Sequence, residues 1–318
     1  MISLMRAPHP IPYQGSKRFL APSILRYFPR DIHRLFEPFA GAAAVSLAAA
    51  LHHKARKFII GDLNAPLMDL WAQIVNSPES ISSAYRTLWQ AQLGNEREYY
   101  DSVREKFNKT KRADYLLYLL LRCVKASVRY NSEGQFNQSP DNRRLGMRPD
   151  TLHCHIMSAS RLLQGNAEIK PGDYRELLAD ARPEDLVYMD PPYQGVCGDR
   201  DQRYFGGFNG AAFREALGCL NAGGISYILS YDGRSGERTY GQPMPSSLDL
   251  TRLEIDAGRS SQATLLGESS ITVESIYLSP ALVRRLGTIS EDRLTARSNQ
   301  LTLIDCLPEA YHRSTSSA

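Results

Sequence analysis

An α/β fold interrupted by a mostly helical insertion is the architecture this sequence predicts. Three observations carry the prediction. A strand–turn–helix–strand unit occupies residues 34–64, helix signals dominate from 65 to 160, and strands and helices alternate again from 167 to 279. The chain has 318 residues and is 42% hydrophobic, enough to build a substantial core around such a sheet.

The elements follow in order. Ile24 to Phe28 closes a short helix stopped by Pro29. "RLFEPFAG" (34–41) reads as a strand and then a turn, "AAAVSLAAALHHKA" (42–55) as an Ala-rich helix, and "KFIIGDLN" (57–64) as a second strand ending in an acid. Four helix signals follow, around 71–75, 81–88, 99–107 and 115–124. "VRYNSEGQFNQ" (128–138) places two β-prone flanks around Ser-Glu-Gly, a hairpin signal. "RPDTLHCHIMSASRLL" (148–163) reads as a helix capped by Asp150 or Thr151. The alternation then resumes. There are strands at 167–174 and 184–193, a helix at 210–223, and strands at 225–233, 250–256 and 271–279. The implied organisation is a discontinuous body, 1–64 with 161–285, an inserted lobe at 65–160, and a weakly patterned tail at 286–318.

Charge is unevenly spread. Between Arg97 and Arg148 twelve Lys/Arg stand against six Asp/Glu, a net of +6, which leaves −2 for the rest of a chain whose total is +4. A basic segment in a near-neutral body suits an anionic partner, although a solvated helical face gives the same count. Five dispersed cysteines fit a reducing compartment. Cys154 lies between His153 and His155, but adjacent residues do not all face one ion, so no metal is expected. The N-terminus lacks a signal-peptide core, and the longest apolar run, near Tyr115–Leu121, is too short to span a bilayer. A cytoplasmic protein is expected.

Three stretches carry chemistry. Gly41 stands where the first strand turns into its helix, a place that needs close backbone approach, or merely an ordinary turn. Asp62 ends the next strand, where an acid accepts both ribose hydroxyls of an adenosine, as in NAD or S-adenosylmethionine, or caps the following helix. "LVYMDPPYQG" (186–195) ends a buried strand with an acid, two prolines and an aromatic. Pro191 and Pro192 have fixed φ and no N–H. The Asp190 carboxylate and the Pro191 carbonyl therefore suit the two hydrogens of a planar exocyclic amine, with Tyr193 placed to stack on the ring that bears it.

These residues, with the stretches around them, resemble the Dam-like, α-type DNA adenine-N6 methyltransferases. "PYQGSKRFL" (12–20) resembles the N-terminal Tyr-x-Gly-x-Lys motif, "EPFAGAAAV" the cofactor loop, "GDLN" the acid-bearing strand, and "RYNSEGQFN" (129–137) the DNA-contacting hairpin. The likeness runs over residues 10–280. Two positions depart from it, Ala43 for the second loop glycine and Ser16 for the glycine before Lys17. The resemblance implies a Rossmann-like mixed sheet binding S-adenosylmethionine through Tyr13, Lys17, Phe39, Gly41, Asp62 and Asp173. It implies Asp190, Pro191, Pro192 and Tyr193 around a base flipped from double-stranded DNA, and a target-recognition lobe at 65–160. Within that lobe Lys125, Arg129, Arg143 and Arg144 suit phosphates, while Asn131, Gln135, Asn137 and Gln138 suit base edges. The expected reaction is direct methylation of adenine N6, with a separate restriction endonuclease as a candidate partner. Cytosine-N4 methylation, methylation of RNA or a protein amide, and an inactive DNA-binding regulator on the same fold are the alternatives.

Overall fold

The computed structural model describes residues 6–192, 208–235, 238–259 and 271–287. Eight strands form one mixed sheet: β1 (Ile32–Glu37), β2 (Ala55–Asp62), β3 (Ala167–Pro171), β4 (Leu186–Met189), β5 (Tyr227–Ser235), β6 (Arg238–Tyr240), β7 (Thr251–Arg259) and β8 (Ile271–Leu278). Their order is β3-β2-β1-β4-β5-β8-β7, with β6 folded back on β5. The five strands from β3 to β5 are parallel, and β8 runs antiparallel to both β5 and β7. This is the Rossmann-like order with an antiparallel edge. The chain winds outward from β1 in one direction and from β4 in the other, so a crevice opens above the C-terminal ends of these two strands.

Burial explains the strand sequences. All four residues of β4 are buried, as a parallel strand covered on both faces requires. Alternate side chains serve opposite cores. Leu35, Ile60, Tyr188 and Ile228 join the core beneath α2 (Ala44–Leu51), α3 (Ala65–Asn76) and α7 (Pro149–Leu163). Phe36, Ile59, Val187 and Leu229 face the core that holds Phe213 and Leu217 of α9 (Gly210–Ala222). The Ala-rich composition of α2 lets it sit almost wholly buried within the first core.

The helices α4 (Pro78–Ala91), α5 (Glu96–Thr110) and α6 (Ala113–Arg122) extend that core outward through Tyr85, Tyr100 and Leu117. No break separates them from the sheet. α3 packs on β3 and α7 on α2, so these two helices are layers of the body as well as brackets of the insertion. Two short helices complete the lettering, α1 (Ala21–Ile24) before β1 and α8 (Tyr174–Leu178) after β3, and α10 (Pro280–Leu286) follows β8.

Several local expectations need correction. The helix expected at 24–28 is α1 followed by a 3-10 turn at Leu25–Tyr27. α7 begins at Pro149 behind Arg148, without a side-chain cap, because proline at the first helical position already has the required φ. Asp150 pairs instead with Arg86. α3 is capped by Asn64, not by Asp62. The 286–318 tail lies outside the described residues from 288 onward.

Candidate active site

The strand ends meet at one cleft of about 330 Å³. Glu37 ends β1, Asp62 ends β2, Asp173 follows β3, and Asp190-Pro191-Pro192 follow β4. All of them line the cleft. So do Phe39 and Gly41 from the β1–α2 loop, and Tyr13 and Lys17 from the N-terminal segment. Every sequence-predicted cofactor residue is therefore in one place, with three of the four predicted around the target base. The fourth, Tyr193, lies outside the described residues.

The loop after β1 is held from three sides. Gly41 has φ +48, and a β-carbon on it would come within 3.2 Å of the Tyr13 ring. Its N–H donates to Oδ2 of Asp62 at 3.0 Å, and its carbonyl accepts from Nε1 of Trp71 at 2.9 Å. Oδ1 of Asp62 accepts from the Asn64 N–H at 3.0 Å. Asp62 is thus a clamp between two loops. Burial pushes its carboxyl above the usual range, while these N–H groups pull it back. Ala43, at φ 45, occupies a second left-handed position. Ser16, with φ −53, needs no glycine.

The Phe39 ring packs on Tyr174 at 5.2 Å and on Phe213 at 6.0 Å, an apolar wall for the cleft. Asp173 caps α8 through the Arg175 N–H and is gripped by the Arg175 guanidinium, which holds its carboxyl below the usual range. Lys17, only 7% exposed, places its ammonium 3.1 Å from Oδ1 of Asp190.

Above this cleft the 129–137 hairpin is rooted by its inward residues. Tyr130 and Phe136 are buried against one another, and the Tyr130 hydroxyl donates to Oδ1 of Asn64. Asn108 of α5 brackets the Phe136 backbone through both its N–H and its carbonyl. Arg129, Gln135 and Asn137 are exposed, as are Lys125, Arg143 and Arg144 nearby. Arg143 lies 3.1 Å from Asp141, and Arg144 lies 3.9 Å from it. Asn131 is not held open for a partner. Its Oδ1 accepts from the Glu133 and Gln135 N–H groups and makes the turn. Gln138 donates to the Val124 carbonyl.

A family model described as D12 class N6 adenine-specific DNA methyltransferase matches residues 13–231. This chain belongs to that family. The retron Ec67 DNA adenine methylase of Escherichia coli is 27% identical over 282 residues, 85% of this chain and 90% of that protein. The type II methyltransferase M1.LlaDCHI of Lactococcus lactis subsp. cremoris is 30% identical over 191 residues, 57% of this chain and 64% of the relative. The DNA adenine methylase of Serratia marcescens is 30% identical over 185 residues, 57% of this chain and 65% of the relative. The matched stretch thus spans slightly less than two thirds of the last two proteins.

S-adenosylmethionine is the methyl donor of D12 methyltransferases, and the cleft suits it. The donor carries positive charge on sulfur and on its α-amine. Here Glu37, Asp62, Asp173 and Asp190 bring four carboxylates to one cavity, against the buried ammonium of Lys17 and the Arg175 guanidinium that grips Asp173. Glu37 is 3% exposed, and burial pushes its carboxyl up to about 7 even though the Ser46 N–H donates to it at 2.8 Å. A buried acid short of positive charge fits a cationic ligand.

Sequence reasoning passed over Glu37. The signal was present, because the acid-after-apolar-strand pattern that picked out Asp62 also marks Glu37 in "LFEPFAG". Glu274 of β8 was missed as well, and no spacing marks it. Among the described residues no group of three or more His, Cys, Asp or Glu is arranged to hold a metal. His153 turns to Ser82 and His155 to the His9 N–H, on different sides of α7. No described helix is long and apolar enough to cross a membrane.

Proposed function

We propose that this protein is a site-specific DNA methyltransferase that receives an adenine flipped out of the duplex and methylates its N6. One observation carries the reading: Asp190-Pro191-Pro192 opens into the same cleft as the Gly41–Asp62 clamp, so an amine acceptor and a nucleotide-binding loop share one cavity. On this reading Asp62 receives the ribose hydroxyls, Phe39 packs on the adenine of the donor, and Asp173 meets its amine. Tyr13 and Gly41 shape the turn around the methionine end, where Glu37 offers a carboxylate to the α-amine. The donor's sulfonium supplies an electrophilic methyl group.

The remaining chemistry belongs to the chain. Adenine N6 is a weak nucleophile because its lone pair is delocalised into the ring. Two acceptors, the Asp190 carboxylate and the Pro191 carbonyl, favour a pyramidal nitrogen whose lone pair is available. They also stabilise the positive charge that grows on nitrogen during transfer, by preorganised electrostatics and positioning. Lys17 fixes Asp190 in direction through Oδ1. No enzyme nucleophile is required.

Lys125, Arg129, Arg143 and Arg144 serve as phosphate contacts, and Gln135 and Asn137 read base edges. The engaged side chains of Asn131 and Gln138 support a structural part for those two residues in place of the base-reading one first assigned. The setting is cytoplasmic DNA. The type II name of the Lactococcus relative motivates a search for a separate cognate endonuclease.

The test is nucleoside analysis of duplex DNA after incubation with the protein and labelled S-adenosylmethionine, with RNA and a protein extract offered in parallel. N6-methyldeoxyadenosine is expected. N4-methyldeoxycytidine would transfer the reading to cytosine, label on RNA or protein alone would remove DNA as substrate, and absence of product would favour an inactive regulator.

A further inference from the structure

Among the described residues the Lys17 ammonium has two carboxylate partners. It lies 3.1 Å from Oδ1 of Asp190 and 3.1 Å from Oε2 of Glu274. The three groups come from three distant parts of the chain: the 3-10 turn at Lys17–Phe19, the end of β4, and the interior of β8. Pairing of Gly233 with Glu274 across β5 and β8 sets the height of the glutamate beside the cleft. Oε2 of Glu274 is sealed from solvent and takes no hydrogen bond among the described residues, so its contact with Lys17 is an ion pair. Among these three groups one ammonium stands between two carboxylates. Glu37 faces Asp190 from β1, and Tyr188, whose hydroxyl bonds Ser230, faces it from β4.

We propose that Glu274 is a positioning residue for methyl transfer, which shares Lys17 so that Asp190 stays both fixed in direction and anionic toward the target amine. The inference rests on the reading of Asp190 given above. With Lys17 on Asp190 alone, the pair would be electrically neutral and would do little for a cation forming on the amine nitrogen. Glu274 draws part of the ammonium's charge to the opposite side and keeps the local field negative where positive charge develops. It also anchors Lys17 against the rigid sheet, so that the long, rotamer-rich side chain does not follow the substrate.

Glu274→Gln tests this, because it preserves shape and an oxygen for Lys17 while removing the charge. Single-turnover methyl transfer is followed from about pH 5 to 9 at saturating S-adenosylmethionine and duplex, with equilibrium binding of each measured separately. Glu274→Asp and Asp190→Ala run in parallel. The expected rate loss for the Gln variant is about 10–100-fold, with both affinities within about twofold of the parent. The acid limb of its pH–rate profile should move to lower pH, since the neighbouring anion that opposes ionisation of Asp190 is gone. Glu274→Asp, which keeps the charge, should recover most of the rate and the parent profile, and it carries the test if the Gln variant melts early. A Gln variant with the parent rate and profile overturns the inference. So does a loss of S-adenosylmethionine affinity that matches the loss of rate, or an Asp variant as slow as the Gln variant. If Asp190→Ala transfers methyl at the parent rate, the reading of Asp190 fails. If Asp190→Ala is inactive and Glu274→Gln is unaffected, only the role of Glu274 falls.

Discussion

Glu37 carries an electrostatic cost that the ligand-free protein does not relieve. Its folded pKa of about 7 lies above the ordinary glutamate value of 4.5, raised first by burial. Its contribution to stability is therefore fully present below about pH 4.5 and is lost as pH rises through about 7. Glu37→Gln should stabilise the ligand-free protein by roughly 2–3 kcal/mol at pH 8 and by much less at pH 5. Denaturant unfolding at the two pH values reads this, and an equal effect at both would place the carboxylate in a more hydrated setting. Asp62 behaves differently, because its oxygens already tie the Gly41 and Asn64 N–H groups together. Asp62→Ala should weaken S-adenosylmethionine binding by about 1.5–3 kcal/mol, the scale of hydrogen bonds to a charged acceptor. Calorimetric titration measures it, and unchanged affinity would leave Asp62 as a loop clamp alone. The places of Asp62 at a strand end and of Gly41 in a turn were legible in the sequence because a strand-end acid and a turn glycine are local signals. Asn131 and Gln138 show the limit of such signals, because a polar loop residue whose side chain bonds the backbone has the same sequence pattern as one that reads a base.

At the scale of elements, the hairpin is anchored by burying every inward residue and leaves its outward residues to solvent. Tyr130 and Phe136 hold it to the core, and Asn108 and Lys111 of the α5 end fasten its backbone from the side. The outward side chains should divide by function. Arg143→Ala or Arg144→Ala should weaken binding to all duplexes and shallow its salt dependence, because a phosphate contact releases counterions without reading sequence. Gln135→Ala or Asn137→Ala should shift site preference, by about 1–3 kcal/mol for a lost bidentate contact. Methylation profiles over random duplexes, with binding at two salt concentrations, separate the two classes. Variants of Gln135 and Asn137 that keep the parent preference would move base reading away from the hairpin. The hairpin itself was visible as two β-prone flanks around Ser-Glu-Gly. Its attachment to α5 was not, since Asn108 lies on an otherwise ordinary amphipathic helix.

Across the whole molecule, sheet order does what sequence order conceals. The strand–turn–helix–strand unit and the later alternation identify an α/β body, because parallel strands buried on both faces are written as continuous apolar runs. The seating of β8 against β5 has no local signature, yet it brings Glu274 to Lys17 and Asp190 across a large span of chain. Hydrogen bonds from the Gln14 N–H to the Ala126 carbonyl and from the Tyr130 hydroxyl to Asn64 tie the basic segment to residues of the cleft, and both share one hydrophobic core. On the proposed reading this cleft methylates adenine in DNA through Asp190. Modified-base sequencing of DNA from cells that express either the parent protein or Asp190→Ala tests it most directly. N6-methyladenine is expected at one short recurring sequence with the parent and not at all with the variant. Methylated cytosine, no modified base with the parent, or methyladenine that persists with Asp190→Ala would contradict it.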